Sequence, residues 1–99
     1  MKLWLDLSVS KVSKVKLLDG EKVVDELVGG NTLALIDEIL GKNHLKLPDL
    51  DEVDSFPGPG SFTGLKIGAA IANTLNFVLG KKKRITPTYG EEVSKLEPR

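Results

Sequence analysis

The sequence contains no cysteine, so disulfide frameworks, thiolate metal sites and a cysteine nucleophile are all excluded. Histidine occurs once, at His44, and without a second one there is no HExxH helix or histidine pair to hold zinc. Charge of one sign is lacking too: 14 basic residues balance 14 acidic ones, so no whole-molecule field draws the chain toward nucleic acid or an anionic membrane. Any basic surface must be local. No apolar run approaches the ~18 residues of a membrane span. The opening Met1-Lys2-Leu3-Trp4-Leu5-Asp6 places an acid where a signal peptide has its apolar centre. The expectation is a cytoplasmic chain with no membrane contact. Aromatics make up 5% of the residues, which leaves aliphatic side chains to build the core. At 99 residues and 40% hydrophobic content, one core and one domain are expected, over residues 1–89, with residues 90–99 as a polar tail.

What is present changes period along the chain. Over residues 2–8, Leu3, Leu5 and Leu7 alternate with Trp4, Asp6 and Ser8, the pattern of a strand. Residues 11–18 alternate again, Asp19-Gly20 is a two-residue hairpin signal, and residues 22–27 resume with Val23, Val24 and Leu27, giving a three-stranded antiparallel meander. Gly29-Gly30 breaks this run, Asn31 or Thr32 caps a helix, and Leu33, Ile36, Ile39 and Leu40 follow at helical spacing up to Gly41. A brief strand is expected within residues 51–56. The stiff turn Pro57-Gly58-Pro59-Gly60 then leads to Ser61 or Thr63 as cap of a long helix ending near Leu79 and Gly80. Ile85 and Thr86 are read as a fifth strand. A meander followed by crossovers makes an α/β domain, a mixed sheet with two main helices on it.

Chemistry-bearing residues are sparse. Gly58, Gly60 and Gly64 give G-x-G-x-x-x-G, which fits neither the dinucleotide fingerprint nor a Walker loop, so the connection reads as a rigid turn with closely packed backbone. Ser61 has no histidine base beside it, and Asp49, Asp51, Glu52 and Asp54 lack the spacing of a calcium loop. Lys81, Lys82, Lys83 and Arg84 suit a helix end through its dipole and offer a local phosphate contact. No catalytic, metal or cofactor-binding residue is assigned.

The helices are more informative. Placed at 100° per residue, the apolar residues of the second helix, from Leu65 to Leu79, fill roughly 200° of arc, about twice what one sheet contact needs. Only Asn76 interrupts them. The first helix likewise carries Leu33, Leu35, Ile36, Ile39 and Leu40, with Asp37 and Glu38 marking its solvent side. This excess of apolar surface points to a helical partner. Leu33, Ile36, Ile39, Leu65, Ala69, Ala72 and Phe77 are the candidate contact residues.

The segment PGPGSFTGLKIG at residues 57–68 closely resembles the G-P-G-S-F-T-G-L-R/K-I-G signature of the bacterial TsaB family, with Gly58, Pro59, Gly60, Ser61, Phe62, Thr63 and Gly64 at its heart. Leu5-Asp6-Leu7-Ser8 is similar to that family's first-strand D-T-S. LALIDEIL at residues 33–40 is similar to its L-x-L-I-D-E-L-L helix, and residues 47–53 to its L-x-D-L-D-x-I. The resemblance covers residues 2–86. It implies a single RNase H-like domain of the actin-like ATPase superfamily. It also implies a noncatalytic dimerisation subunit that supports the catalytic protein TsaD in threonylcarbamoyladenosine modification of tRNA. By the same resemblance the two helices make the subunit contact with TsaD or with a second copy, TsaE joins the assembly, tRNA contact is indirect, and no cofactor is bound.

The sequence departs from the family pattern at defined places. Leu7 stands where a threonine follows the first-strand aspartate, and Gly29-Gly30 where the family often has His-Ser. The catalytic relatives' metal-binding histidine motif is absent. Two alternatives stay open: a shortened nucleotide-binding or phosphotransferase relative using Asp6, Ser8 and residues 58–63, and a homodimeric structural remnant.

Overall fold

The computed structural model describes residues 1–81. Four strands form one sheet in the order β3-β2-β1-β4: β1 (Lys2–Asp6), β2 (Ser13–Asp19), β3 (Lys22–Gly29) and β4 (Glu52–Ser55). β1 pairs antiparallel with β2 and parallel with β4, and β2 pairs antiparallel with β3, so the sheet is mixed as the element order predicts. Helices α1 (Thr32–Lys42) and α2 (Phe62–Val78) both lie on one face. α1 packs on β2 and β3, and α2 on β1 and β4.

Alternation along the strands decides which side chains meet the helices. Leu3, Leu5, Val15, Leu17 and Val53 point to the helical face and are fully buried, and Leu7, Ile36, Ile39, Leu40, Leu50, Ala69 and Ala72 complete the cluster. The opposite face carries Lys2, Trp4 and Asp6 beside Leu18, Lys16 and Lys14, in the register Lys2↔Leu18, Trp4↔Lys16 and Asp6↔Lys14. Trp4 meets Phe56 there edge to face, with ring centroids 6.4 Å apart.

Several expected boundaries shift for local reasons. β2 begins at Ser13 rather than residue 11 because Lys11 takes the left-handed conformation, φ 64°. The hairpin turn sits one residue later than expected: Asp19 pairs with Lys22, leaving Gly20 and Glu21 at the tip, with Gly20 supplying φ 62°. Val24 is the extra residue of a bulge, since Leu17 faces Asp25 while Leu18 faces Val23. This is why Val23 and Val24 are both exposed.

Both helices are capped by side chains the sequence offers. Asn31 accepts a hydrogen bond from the Ala34 N–H, and Ser61 accepts one from the Gly64 N–H. Gly41 does not end α1; the helix continues to Lys42. His44 adopts φ 57° instead, its N–H donating to the Gly41 carbonyl while the Leu45 N–H reaches the Leu40 carbonyl, a Schellman closure built on a non-glycine residue. Gly80, at φ 77°, follows α2 as expected. A 3-10 turn at Leu47–Asp49 was not legible in the sequence. The fifth strand at Ile85 and Thr86, the polar tail and the cluster from Lys82 to Arg84 lie outside the described residues.

Candidate functional site

The glycine segment is stitched to the end of β1 by backbone. The Phe56 N–H donates to the Leu5 carbonyl, and the Ser61 N–H to the Ser8 carbonyl at 2.7 Å. Ser8 in turn donates through both its N–H and its hydroxyl to one oxygen of Asp6. A Cβ at Gly64 would land on the Leu7 carbonyl oxygen, one at Gly60 would lie 2.6 Å from the Ser8 Cβ, and one at Gly68 2.7 Å from the Ser55 hydroxyl. Gly60 and Gly64 are therefore there so that the α2 N-terminus can press against the chain's own β1 extension, and Gly68 so that the next turn can approach Ser55 of β4. Gly58 meets a different need, a φ of 116° just before a cis peptide to Pro59. Phe62 and Thr63 are exposed on the first turn of α2, and Ser61 serves as its cap.

A cavity of about 410 Å³ opens beside this segment, between the β1–β2 loop and the N-termini of both helices, with Leu7, Lys11, Val12, Thr32, Thr63 and Ile67 among its walls. Ser13, nearly buried there, is bonded to the Thr32 hydroxyl at 2.6 Å. No cluster of His, Asp or Glu side chains able to hold a metal exists among the described residues. Two of the acids read from the sequence serve as ion-pair partners, Asp51 binding the Met1 ammonium at 2.7 Å and Asp54 lying 3.5 Å from Lys2, while Asp49 accepts from the Lys46 N–H. The ammonium's hydrogen bond and charge hold the Asp51 carboxyl below the usual aspartate range. His44 is exposed.

The seven candidate contact residues separate sharply. Ile36, Ile39, Leu65, Ala69 and Ala72 are each at most 7% exposed and belong to the core, so their side chains offer no surface to another molecule. For these five the expectation is corrected: they form the stripes that each helix turns toward its own sheet. Leu33 and Phe77 are 62% and 83% exposed, on the outer side. The outer surface also includes residues not singled out from the sequence: Ile67 and Val78 are exposed, and Ala70, Ile71, Thr74 and Leu75 line, with Leu33, a shallow groove of about 270 Å³ between the helices.

The division follows from side-chain size. Leu65, Gly68, Ala69, Ala72 and Asn76 fall on one narrow stripe of α2, and its small members bring the helix close to β1 and β4. That leaves the wider apolar side outward. Asn76, the one polar residue of the buried stripe, is fully buried and satisfied: its amide accepts from the Val53 N–H at 2.8 Å and donates to the Val53 carbonyl at 2.7 Å. Sequence reasoning saw only an interruption there. A polar residue on the buried stripe of a helix beside an edge strand was the available signal.

Comparison with known proteins places this arrangement. The family model described as "TsaD: tRNA N6-adenosine threonylcarbamoyltransferase" matches residues 30–84. The tRNA threonylcarbamoyladenosine biosynthesis protein TsaB of Haemophilus influenzae is 41% identical in an 80-residue alignment that covers 76% of this chain and 34% of that protein. TsaB of Buchnera aphidicola is 40% identical over 47 residues, covering 48% of this chain and 21% of that one. Among solved structures, YeaZ from Pseudomonas aeruginosa superposes with a TM-score of 0.71 over 87% of this chain and 44% of its own, at 24% identity, which is a likeness of fold. The mixed sheet with two helices on it is accordingly the RNase H-like, actin-like fold. The chain spans about a third of the Haemophilus relative it matches. With a family model covering more than half of its residues and its curated matches to TsaB in hand, the chain belongs to the TsaD family and, within it, is a TsaB-type sequence.

Proposed function

We propose that this domain serves threonylcarbamoyladenosine formation in tRNA as a noncatalytic docking subunit, holding a TsaD-like transferase through the outer faces of α1 and α2. It does so in the cytoplasm, without a cofactor of its own and with tRNA touched through the partner. The observation that carries this reading is the exposed apolar surface formed by Leu33, Ile67, Phe77 and Val78 around the groove between the helices. Large apolar side chains exposed together on one helix face mark an interaction site.

The spacing on α2 suits a helical partner. Ile67, Ala70, Thr74 and Phe77 recur at intervals of three, four and three residues, the rhythm of a two-helix seam. Ala70 and Thr74 in the middle let another helix approach closely, while Ile67 and Phe77 close over it at either end. The sequence of sizes reads the same in both directions, so an antiparallel second copy of α2 also fits, and homodimerisation is the second mode of this face. TsaE belongs to the reading only as a further member of the assembly.

Nucleotide binding is the rival reading, favoured by the cavity at the two helix N-termini. Against it stands the packing of Gly60 and Gly64 on Ser8 and Leu7, which fills with the chain's own backbone the space a phosphate loop keeps open.

The test is a titration of this protein into a TsaD protein from the same source, followed by size exclusion and by threonylcarbamoyl transfer to tRNA. A co-eluting complex and faster transfer are expected. Two separate peaks with an unchanged transfer rate would overturn the proposal, and heat released on titrating ATP with magnesium into the isolated chain would favour the rival.

A further inference from the structure

We draw no further inference here: the strongest candidate outside the docking face, the cavity between the β1–β2 loop and the N-termini of α1 and α2, rests on helix N-termini alone, because no buried polar side chain among the described residues is left unpartnered to point to a ligand.

Discussion

The side chain of Asn76 occupies, at Val53, the place of a neighbouring strand. Its amide accepts from the Val53 N–H and donates to the Val53 carbonyl, closing the free edge of β4 at its fully buried centre. β4 pairs with β1 on its other side, so one helix residue supplies the missing partners at Val53 in a strand that has a single strand neighbour among the described residues, while the Ser55 N–H donates to the Asp54 carboxylate.

Replacing Asn76 by leucine would leave that N–H and that carbonyl buried without partners. At about 1–3 kcal/mol for each unmet group, Asn76→Leu is expected to lower the unfolding free energy by about 2–6 kcal/mol, measured by urea denaturation. A loss below about 1 kcal/mol would show that the edge finds other partners.

The glycines are expected to rank by what their missing side chains would meet. Gly64→Ala drives a methyl into the Leu7 carbonyl, main chain just beyond β1 rather than a movable side chain, and should abolish cooperative folding. Gly68→Ala meets the Ser55 hydroxyl, which can rotate, and should cost less. Gly41→Ala meets nothing within 4 Å in the last turn of α1 and should stabilise by about 0.5–1 kcal/mol. Thermal unfolding of the three variants gives the order directly, and equal effects would refute the packing explanation.

His44 closes α1 from the left-handed region, at φ 57°, where a side chain is strained. His44→Gly removes that strain at an exposed position and is expected to raise stability by about 1 kcal/mol, read as an increase in Tm. A decrease would mean that the imidazole holds the helix end in some other way.

The outer and inner sides of the helices should separate stability from association. Ile39→Ala, at a fully buried position, should cost about 2–5 kcal/mol of folding free energy. Phe77→Asp, at 83% exposure, should leave the denaturation midpoint nearly unchanged while abolishing the complex with TsaD or with a second copy. Undiminished association of the Phe77 variant, seen by light scattering, would move the contact elsewhere.

Asp25 ties β3 to the end of α1. It accepts from the Asn43 amide at 3.0 Å and pairs with Lys42 at 3.3 Å, and the Asn43 hydrogen bond foremost holds its carboxyl below the ordinary aspartate value. A depressed carboxylate contributes stability above its unfolded pKa and loses it as pH falls through the folded one. Stability should therefore decline below about pH 4, and Asp25→Asn should flatten that decline in pH-dependent thermal melts. An identical slope in the variant would assign the acid sensitivity to another group, such as Asp51.

How much of this was legible in the chain depends on whether the deciding forces are local. The alternation of Leu3, Leu5 and Leu7, the caps Asn31 and Ser61 and the stop at Gly80 act within a few residues, so those elements are readable without a partner in space. The turn at Gly20 and Glu21 moved by one residue because register is set by pairing across the hairpin. His44 displaced Gly41 as the closing residue because the helix end is fixed by Leu45 reaching back to Leu40.

The amino-acid order by itself determined that there are two helices with more apolar surface than one sheet needs, and that a stiff glycine- and proline-rich turn joins a strand to the second of them. Which half of each helix is used up inside was decided only by the packed fold. Gly68, Ala69 and Ala72 draw α2 onto the sheet along its narrow side, because small residues permit the closest approach and the largest dispersion gain there. The bulkier Ile67 and Phe77 are left to face outward, as is Leu33 on α1. A helical projection is blind to that choice, since it records angles around an axis and not the depth to which each side can sink.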